Sequence, residues 1–291
     1  MKKILAIVTM LVFLTTFLAG CQVGTVKKTT ASTTDPNGGV TSTEGVIYTF
    51  ENGIYAVVAG YEGTDAEVVI ADTYSGLPVR GILDHAFANK EITSVVLPDS
   101  FTFIDGYAFM NCRNLTSVVI PSNVNSIGDA AFWNCTSLTS ISIPESVTFI
   151  GACAFAGCTG IQAIDVSENN PNYCSIDGNV YSKDQKTMLA YANGKTATTF
   201  TVPAHVTTIY GAFGYCPALT SVVIPSTVTA IYPFSFYDCS GLTDVYYTGT
   251  AEEWEEILVD DYNDALASAT IHYNYGKGSS GVELPDDYPF N

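Results

Sequence analysis

Three stretches of 23 residues repeat one pattern, and this repeat constrains the fold more than any other feature of the chain. The stretches cover residues 115–137, 138–160 and 219–241, and each contains Leu-Thr-Ser, an Ile-Pro step, a Val-x-x-Ile pair and Phe-x-x-Cys. The spacing of the apolar residues before the proline is typical of a short strand with one apolar face. Because one unit has no second layer on which to bury these side chains, neighbouring units must stack. The sequence therefore predicts a mainly β solenoid of short parallel strands, with about 23 residues in each coil.

Equivalent positions in successive coils predict columns of like side chains in a shared interior. Phe109, Phe132 and Phe155 are predicted to stack ring over ring. One further slot is occupied by cysteines, namely Cys112, Cys135, Cys158, Cys216 and Cys239. Strands about 4.8 Å apart place these thiols side by side and pointing the same way, which does not suit a disulfide, so we expect them to act as buried apolar groups. Cys153 and Cys174 lie outside the column, and the sequence leaves open whether they form a disulfide.

The first 20 residues have the organisation of an export signal. Lys2 and Lys3 precede an apolar run over residues 4–18, and Cys21 follows Leu-Ala-Gly. This ending resembles the lipobox of bacterial lipoproteins, which implies that Cys21 is lipidated and becomes the first residue of the mature chain. The alternative is an ordinary export signal followed by an incidental cysteine.

Composition divides the rest of the chain. Residues 21–45 are rich in Ser, Thr and Gly and are predicted to form a flexible stalk. The solenoid is predicted over residues 46–275, with a hairpin insert at about 167–195, and residues 276–291 are predicted to be a loose tail.

Both ends of the solenoid carry signals for a cap. Asn52-Gly53 lies between two short β-prone runs and predicts an N-terminal β-hairpin. A helix/strand cap is predicted over residues 247–275. Its helix starts at a capping box, Thr250 to Glu253, and places Trp254, Ile257 and Leu258 on one face.

Charge and motif content exclude several classes of function. From Val46 onward, seven basic residues stand against 27 acidic ones, a net charge of about −20 that opposes binding to nucleic acid or to an anionic bilayer. None of the three histidines falls in the cysteine column, and the acidic residues near the C-terminus lack the spacing of a calcium loop. We therefore predict no catalytic residue, no cofactor and no metal. A hydrolase whose motif is not recognised is kept as a further alternative.

The strand residues that alternate with the buried ones predict an exposed face. They form two columns of small, mostly uncharged side chains, namely Ser94, Val96, Ser117, Val119, Ser140, Ser142, Ser221, Val223, Asp244 and Tyr246. Such a face suits a protein or glycan partner, although small residues also simply permit close stacking. The positions after the Phe column offer a second candidate at Met110, Trp133 and Tyr237, where Trp133 is either an exposed anchor or packed in a turn.

These motifs together resemble the BspA-like leucine-rich-repeat family of bacterial surface lipoproteins. The resemblance rests on the 23-residue pattern, on the insert motif at residues 170–178 and on the closing motif at residues 247–254, and it covers about residues 46–275. It implies a leucine-rich-repeat-like solenoid without catalytic residues, displayed at the surface, and adhesion to host matrix proteins or to other bacteria. The chain departs from the pattern at Ile70-Ala71, where later coils have Ile-Pro, and its few coils leave a small binding surface.

The sequence thus predicts a non-enzymatic, lipid-anchored, extracytoplasmic monomer that binds a protein or glycan on host or bacterial surfaces. The alternative is a surface lipoprotein that captures carbohydrate.

Overall fold

The chain winds into a β-solenoid of about nine turns, with about 23 residues in each turn. The computed structural model describes residues 42–276. The solenoid predicted from the repeat is therefore confirmed. The predicted signal peptide, Cys21, most of the stalk and almost all of the tail lie outside the described residues.

Most of the secondary structure consists of very short strands. Those before and within the first part of the insert are β1 (Val46–Glu51), β2 (Tyr55–Tyr61), β3 (Glu67–Val69), β4 (Thr73–Tyr74), β5 (Leu77–Ile82), β6 (Ser94–Val96), β7 (Phe103–Ile104), β8 (Ser117–Val118), β9 (Ser126–Ile127), β10 (Ser140–Ile143), β11 (Phe149–Ile150), β12 (Ala163–Val166) and β13 (Tyr173–Ile176). The later ones are β14 (Asn179–Ser182), β15 (Thr187–Ala190), β16 (Thr199–Thr201), β17 (Thr208–Ile209), β18 (Ser221–Ile224), β19 (Ala230–Ile231), β20 (Asp244–Tyr247), β21 (Leu258–Val259) and β22 (Thr270–His272).

Each regular coil contributes one strand to each of two parallel rows. In the first row Ser94 lies opposite Ser117, and in the second row Ile104 lies opposite Ile127. The register equals the 23-residue period of the sequence, so equivalent side chains stack. The second row was not predicted, because only two residues of each Val-x-x-Ile segment pair in a ladder.

The turn that carries the Phe and Cys slots uses a left-handed backbone twice in each coil. The first such position lies two residues before the Phe slot and is occupied by His85, Tyr107, Ala130, Cys153, Gly211 and Phe234, with φ between 52° and 62°. The second lies two residues after it and is occupied by Asn89, Asn111, Asn134, Gly157, Tyr215 and Asp238. Asparagine tolerates this conformation better than most residues. It also forms a ladder here, because Asn134 Nδ2 donates to Asn111 Oδ1 at 2.7 Å and Asn111 Nδ2 donates to Asn89 Oδ1 at 2.9 Å.

The Phe column is confirmed. The rings of Phe87, Phe109, Phe132 and Phe155 are fully or almost fully buried, with successive centroids 5.4, 5.2 and 5.8 Å apart and planes within 14° of parallel. The cysteine column lies beside it and is buried as predicted. Four of its thiols donate to the carbonyl oxygen of the Phe one coil earlier, at 2.8–3.2 Å. The column therefore adds weak hydrogen bonds to its apolar packing.

The N-terminal end is closed by the predicted hairpin. Strands β1 and β2 pair antiparallel around Asn52 and Gly53, which both have positive φ, and β2 pairs with the first coil. Contacts with the solenoid begin slightly before the predicted boundary at residue 46. Thr43 exchanges two hydrogen bonds with the backbone of Val69, at 2.7 and 2.9 Å.

The insert forms a three-stranded antiparallel meander, β13 to β15, whose last strand pairs with β17. Its first turn is Asp177-Gly178, with φ of 50° and 73°. The meander separates two hydrophobic clusters, because Val180 packs in the cluster of the preceding coils and Tyr181 in the cluster of the following coils. The insert therefore divides the core rather than projecting from it.

The end of the insert contains a copy of the Ala-Phe turn that the sequence pattern did not reveal. In regular coils the amide of the Phe donates to a carbonyl of the next coil, as from Phe132 to Ala154 at 2.8 Å. The amide of Tyr191 donates in the same way to Ala212, at 3.0 Å. Ala190-Tyr191-Ala192-Asn193 thus occupies the place of Ala-Phe-x-Asn and returns the chain to the register of the coils.

On the turn side, coils on either side of the insert touch directly. The ring of Trp133 lies 5.7 Å from that of Tyr237, and Cys153 Sγ lies 3.6 Å from the carbonyl oxygen of Phe234. Coils that are neighbours in a regular stack are only about 23 residues apart, so these contacts require the solenoid to bend here.

The C-terminal cap contains two short helices, α1 (Ala251–Glu255) and α2 (Asp264–Ser268). The predicted capping box of Thr250 and Glu253 is confirmed. The predicted helical face is wrong at Ile257 and Leu258, because the helix ends at Glu255. Leu258 is 50 % exposed and lies in β21, which pairs with β19 and continues the second row. Asn263 completes the last coil, since its Oδ1 accepts from the amide of Phe236 at 2.9 Å.

Candidate functional site

A groove of about 590 Å³ lies over the predicted face, before the insert. It is lined by three short segments, residues 117–120, 140–144 and 165–168. These segments belong to consecutive coils and follow one another across the strand face. Four residues of the predicted face, Ser117, Val119, Ser140 and Ser142, therefore line one concave surface.

The groove coincides with an interruption in the first row of strands. Strand β8 ends a three-stranded sheet, and β10 begins a separate pair with β12. The backbone contact that remains, from the amide of Thr139 to the carbonyl of Thr116, is 3.5 Å long. The turn sides of the same coils are tightly joined, because the amide of Phe132 donates to Ala154 at 2.8 Å. The strands thus separate only on the outer face.

The surface of the groove combines apolar and hydroxyl groups. Val119 is 81 % exposed, and Val96 on the same column is 57 % exposed. Ser117, Ser140 and Ser142 are exposed beside them, whereas Ser94 is half-buried. A valine so open to water costs free energy unless a partner covers it, since burying apolar surface is favourable by about 25 cal/mol per Å².

One rim of the groove is acidic. Asp165 lies in register with Ser142, and Glu168 follows it; both are exposed. Lys183 reaches the same rim, but its ammonium donates to the backbone carbonyl oxygen of Glu168 at 3.1 Å. Within residues 42–276, no side chain pairs with either carboxylate.

The predicted face does not continue evenly past the insert. Its later members lie in the separate sheet formed by β16, β18, β20 and β22. Ser221 is half-buried and its hydroxyl bonds to that of Thr199 at 2.7 Å. Asp244 Oδ1 lies 2.7 Å from Nε2 of His272, and Tyr246 stacks on the His272 ring at 4.7 Å. This part of the face presents a polar and aromatic cluster instead of small side chains.

The prediction that Val223 faces solvent is wrong, because only 2 % of this residue is exposed. Its neighbours in register are Thr201 and Tyr246. The Tyr246 ring is large enough to cover a valine on the adjacent strand. Alternation places a side chain on the outer face of a strand, but it does not decide whether a neighbour covers that side chain.

The second candidate surface, around Trp133, is occupied by contacts within the chain. Trp133 is half-buried, with its ring 6.3 Å from Tyr215 and 5.7 Å from Tyr237. These residues are brought together by the bend, which no repeat pattern encodes. Trp133 therefore belongs to the packing of the turns.

Among the described residues, neither His85 nor His205 bonds to a thiol or a hydroxyl group. His85 stacks on Tyr107 and lies 2.9 Å from Asp84, and His205 is exposed. Burial raises the pKa of Cys153 to about 12, which keeps this thiol protonated and unreactive at neutral pH. Cys153 and Cys174 are both free thiols in the structure.

Hydrogen bonds lower the pKa of one carboxyl group, that of Asp244, in the sheet after the insert. The His272 ring and the Thr243 hydroxyl lower the pKa of Asp244 and hold it as a carboxylate. Residues 42–276 contain no cluster of His, Cys, Asp and Glu that fits a metal ion. The arrangement supports binding chemistry based on hydrogen bonds, charge and apolar contact.

Comparison with known proteins agrees with the architecture. The family model described as BspA type leucine rich repeat region matches residues 80–185 and 172–272, in six copies. No curated protein matches the chain. None of the helices in the described part of the chain has the length and apolar character needed to cross a membrane.

Two solved structures show the same fold. A leucine-rich repeat protein from Eubacterium ventriosum is 20% identical with a TM-score of 0.57, over 78% of this chain and 75% of its own. The pneumococcal vaccine antigen PcpA is 22% identical with a TM-score of 0.50, over 62% of this chain. The match covers 48% of PcpA, so this chain corresponds to about half of that protein.

Proposed function

Because the chain belongs to the BspA-type leucine-rich-repeat family, we propose that it is a non-enzymatic, lipid-anchored bacterial surface protein that holds a macromolecular partner on its strand face. The family is typically surface-associated, and its members generally act as binding scaffolds. The observation that carries the proposal is the groove before the insert, where Val119 is 81 % exposed among exposed serines.

The proposal gives each segment of the chain a role. Residues 1–20 direct export, Cys21 carries the lipid and the following stalk holds the solenoid away from the membrane. The groove then faces outward, toward proteins or glycans of a host or of another bacterium, which makes the protein an adhesin.

The anchor and the groove are tested separately. Cys21→Ser is expected to abolish labelling by an alkyne fatty acid and to release the full chain from the membrane fraction. Labelling that persists in this variant would contradict lipidation at Cys21.

The groove is tested by obstruction. Ser117→Lys together with Ser140→Lys is expected to abolish capture of labelled host or bacterial surface material by the full chain, because two long side chains fill the groove. The matched control is Ser240→Lys with Ser268→Lys, which places the same change at exposed serines that do not line the groove. Equal capture by both double variants would move the site elsewhere.

A second candidate function is carbohydrate capture on the sheet after the insert. The observation that favours it is the cluster of Asp244, His272 and Tyr246, which offers a held carboxylate beside stacked rings. Loss of glycan-array signals in Tyr246→Ala, with no loss in the groove variant, would select this function over the first.

A further inference from the structure

We infer that the groove takes an extended polypeptide segment, with an apolar side chain over Val119 and a basic side chain between Asp165 and Glu168. This inference rests on the proposed function and specifies its partner. It follows from the shape, the lining and the charge of the groove.

The lining favours a polypeptide over a glycan. The groove has branched apolar groups, four serine hydroxyls and two carboxylates, and none of the residues that line it is aromatic. Sugar rings are commonly held by stacking on aromatic rings, which this groove does not offer. An extended chain, in contrast, presents backbone groups that serine hydroxyls bind and side chains that cover an exposed valine.

The spacing of the groove matches an extended chain. Val119 and Asp165 occupy the same column two coils apart. Paired strands at about 4.8 Å would separate them by about 10 Å, and the gap between β8 and β10 makes the separation larger. An extended peptide rises about 3.3 Å per residue, and alternate side chains point to the same side. A lysine or arginine four residues after the side chain over Val119 lies about 13 Å along the peptide and therefore reaches the other end of the groove.

The charge of the rim selects a cation. Asp165 and Glu168 are exposed and, among the described side chains, unpaired. The chain from Val46 onward carries about −20, which raises the local concentration of cationic partners and repels acidic ones. A basic segment is thus attracted at long range and held at one defined end of the groove.

The test uses two fluorescein-labelled peptides and the full chain at low salt. Both peptides alternate valine with threonine; one ends in two lysines and the other in two glutamates. Fluorescence anisotropy is expected to show binding of the lysine peptide about fivefold tighter than that of the glutamate peptide, and the preference is expected to fade as salt is raised.

Variants locate the effect. Asp165→Asn with Glu168→Gln is expected to weaken binding of the lysine peptide about fivefold, while Glu255→Gln with Glu256→Gln, an equal charge change at the far end, leaves it within about twofold. Equal losses in both double variants would overturn the inference, because net charge alone would then explain the preference. Two exposed substitutions of this kind leave the packed core untouched, and a melting curve for each variant confirms folding.

The obstruction variant separates the inference from the proposed function. Suppose that Ser117→Lys with Ser140→Lys abolishes capture of surface material, while neither peptide binds to the chain without substitutions. The groove then binds a partner, but the basic-peptide inference is wrong. If the obstruction variant captures as much as the control, the proposed function itself fails at this surface.

Discussion

The coils before the insert and those after it are built from the same repeat, yet their cores are organised differently. Before the insert, four Phe rings stack at 5.2–5.8 Å with nearly parallel planes. After it, Phe213 stacks on Phe236 at 4.9 Å, but its other aromatic neighbours, Tyr191 and Phe200, are tilted by 37° and 57°. A strict period places like side chains on top of one another, whereas an insert replaces the neighbour on one side and the column adapts.

The outer faces differ in the same way. Before the insert the face has small, exposed side chains and a groove, and after it larger side chains bond to one another and Val223 is buried. The half before the insert thus presents the more open surface.

Alkaline pH is expected to produce the largest effect, because it acts on the thiol column of both halves. Burial raises the pKa of Cys112, Cys216 and Cys239 to about 12. An unfolded cysteine titrates near about 8.5, so the unfolded state releases its protons first as the pH rises. The buried thiols contribute fully to the free energy of unfolding below about pH 8.5. As the pH rises from there toward 12, each thiol lowers the free energy of unfolding by about 1.4 kcal/mol per pH unit. Urea unfolding between pH 8 and pH 11 measures this loss.

Cysteine variants from the two halves sharpen this test. Cys112→Ala and Cys239→Ala each remove one buried thiol. Each variant should therefore show a shallower fall of the free energy of unfolding with rising pH, and the difference in slope should equal the contribution of one thiol. A slope unchanged in both variants would contradict thiol burial as the cause. A change in only one variant would indicate that the two halves unfold separately.

Truncating the Phe column is expected to cost nearly as much. Phe132→Ala removes a fully buried ring with aromatic neighbours on both sides and should lower the free energy of unfolding by about 3–5 kcal/mol. Phe236→Ala removes an equally buried ring that stacks on Phe213 alone, so its cost should lie at the lower end of that range. Urea denaturation compares the two, and a larger loss for Phe236 would break the contrast between the halves.

The asparagine ladder is expected to contribute less. Asn134→Ala removes the bond to Asn111 and places alanine at a φ of 58°, at a cost of about 2 kcal/mol. Asn134→Gly removes the same bond without the backbone penalty and should cost about 1 kcal/mol. Thermal unfolding of the two variants separates the terms, and equal melting temperatures would show that the backbone conformation contributes nothing.

The smallest effect is expected at the turn that ends the insert. The Tyr191 hydroxyl is buried without a hydrogen-bond partner among the described residues, and other coils have Phe in this slot. Tyr191→Phe should therefore leave the stability unchanged or raise it by about 1 kcal/mol. The control is Tyr173→Phe, whose hydroxyl contacts the amide of Ile150 and the carbonyl of Thr148, and which should lose about 1 kcal/mol. A loss at Tyr191 as large as at Tyr173 in urea denaturation would show that its hydroxyl is satisfied.

Local signals in the sequence predicted the features that depend on neighbouring coils. The Phe and Cys columns, the Asn52-Gly53 hairpin and the capping box at Thr250 each follow from a short pattern with one physical solution. Asp177-Gly178 is an equally clear hairpin signal, but the prediction of one hairpin over about residues 167–195 did not assign a turn to it, so β13 and β14 were not separated. The copy at Ala190–Asn193 was hidden because Tyr replaces Phe and because it lies 36 residues after Phe155 instead of 23.

Features that depend on distant coils were not predictable from the pattern. The groove arises because β8 and β10 part although both match the repeat, and the contact of Trp133 with Tyr237 arises from the bend. The burial of Val223 likewise does not follow from its place in the repeat, since Val119 at the equivalent position is 81 % exposed. A repeat specifies how each coil meets the next, but small deviations accumulate into curvature and openings that only the assembled chain reveals.

The return to register at Ala190–Asn193 has a consequence for how such a chain changes over evolutionary time. The coils after this turn dock on the backbone of Tyr191 as they would on any regular coil, so their main-chain register does not depend on the length of the segment before it. The contacts of Trp133 and Cys153 with later coils tie particular coils together across the insert. Gain or loss of whole coils by unequal recombination therefore preserves the main-chain register, and coils that do not carry these contacts are the ones most easily exchanged.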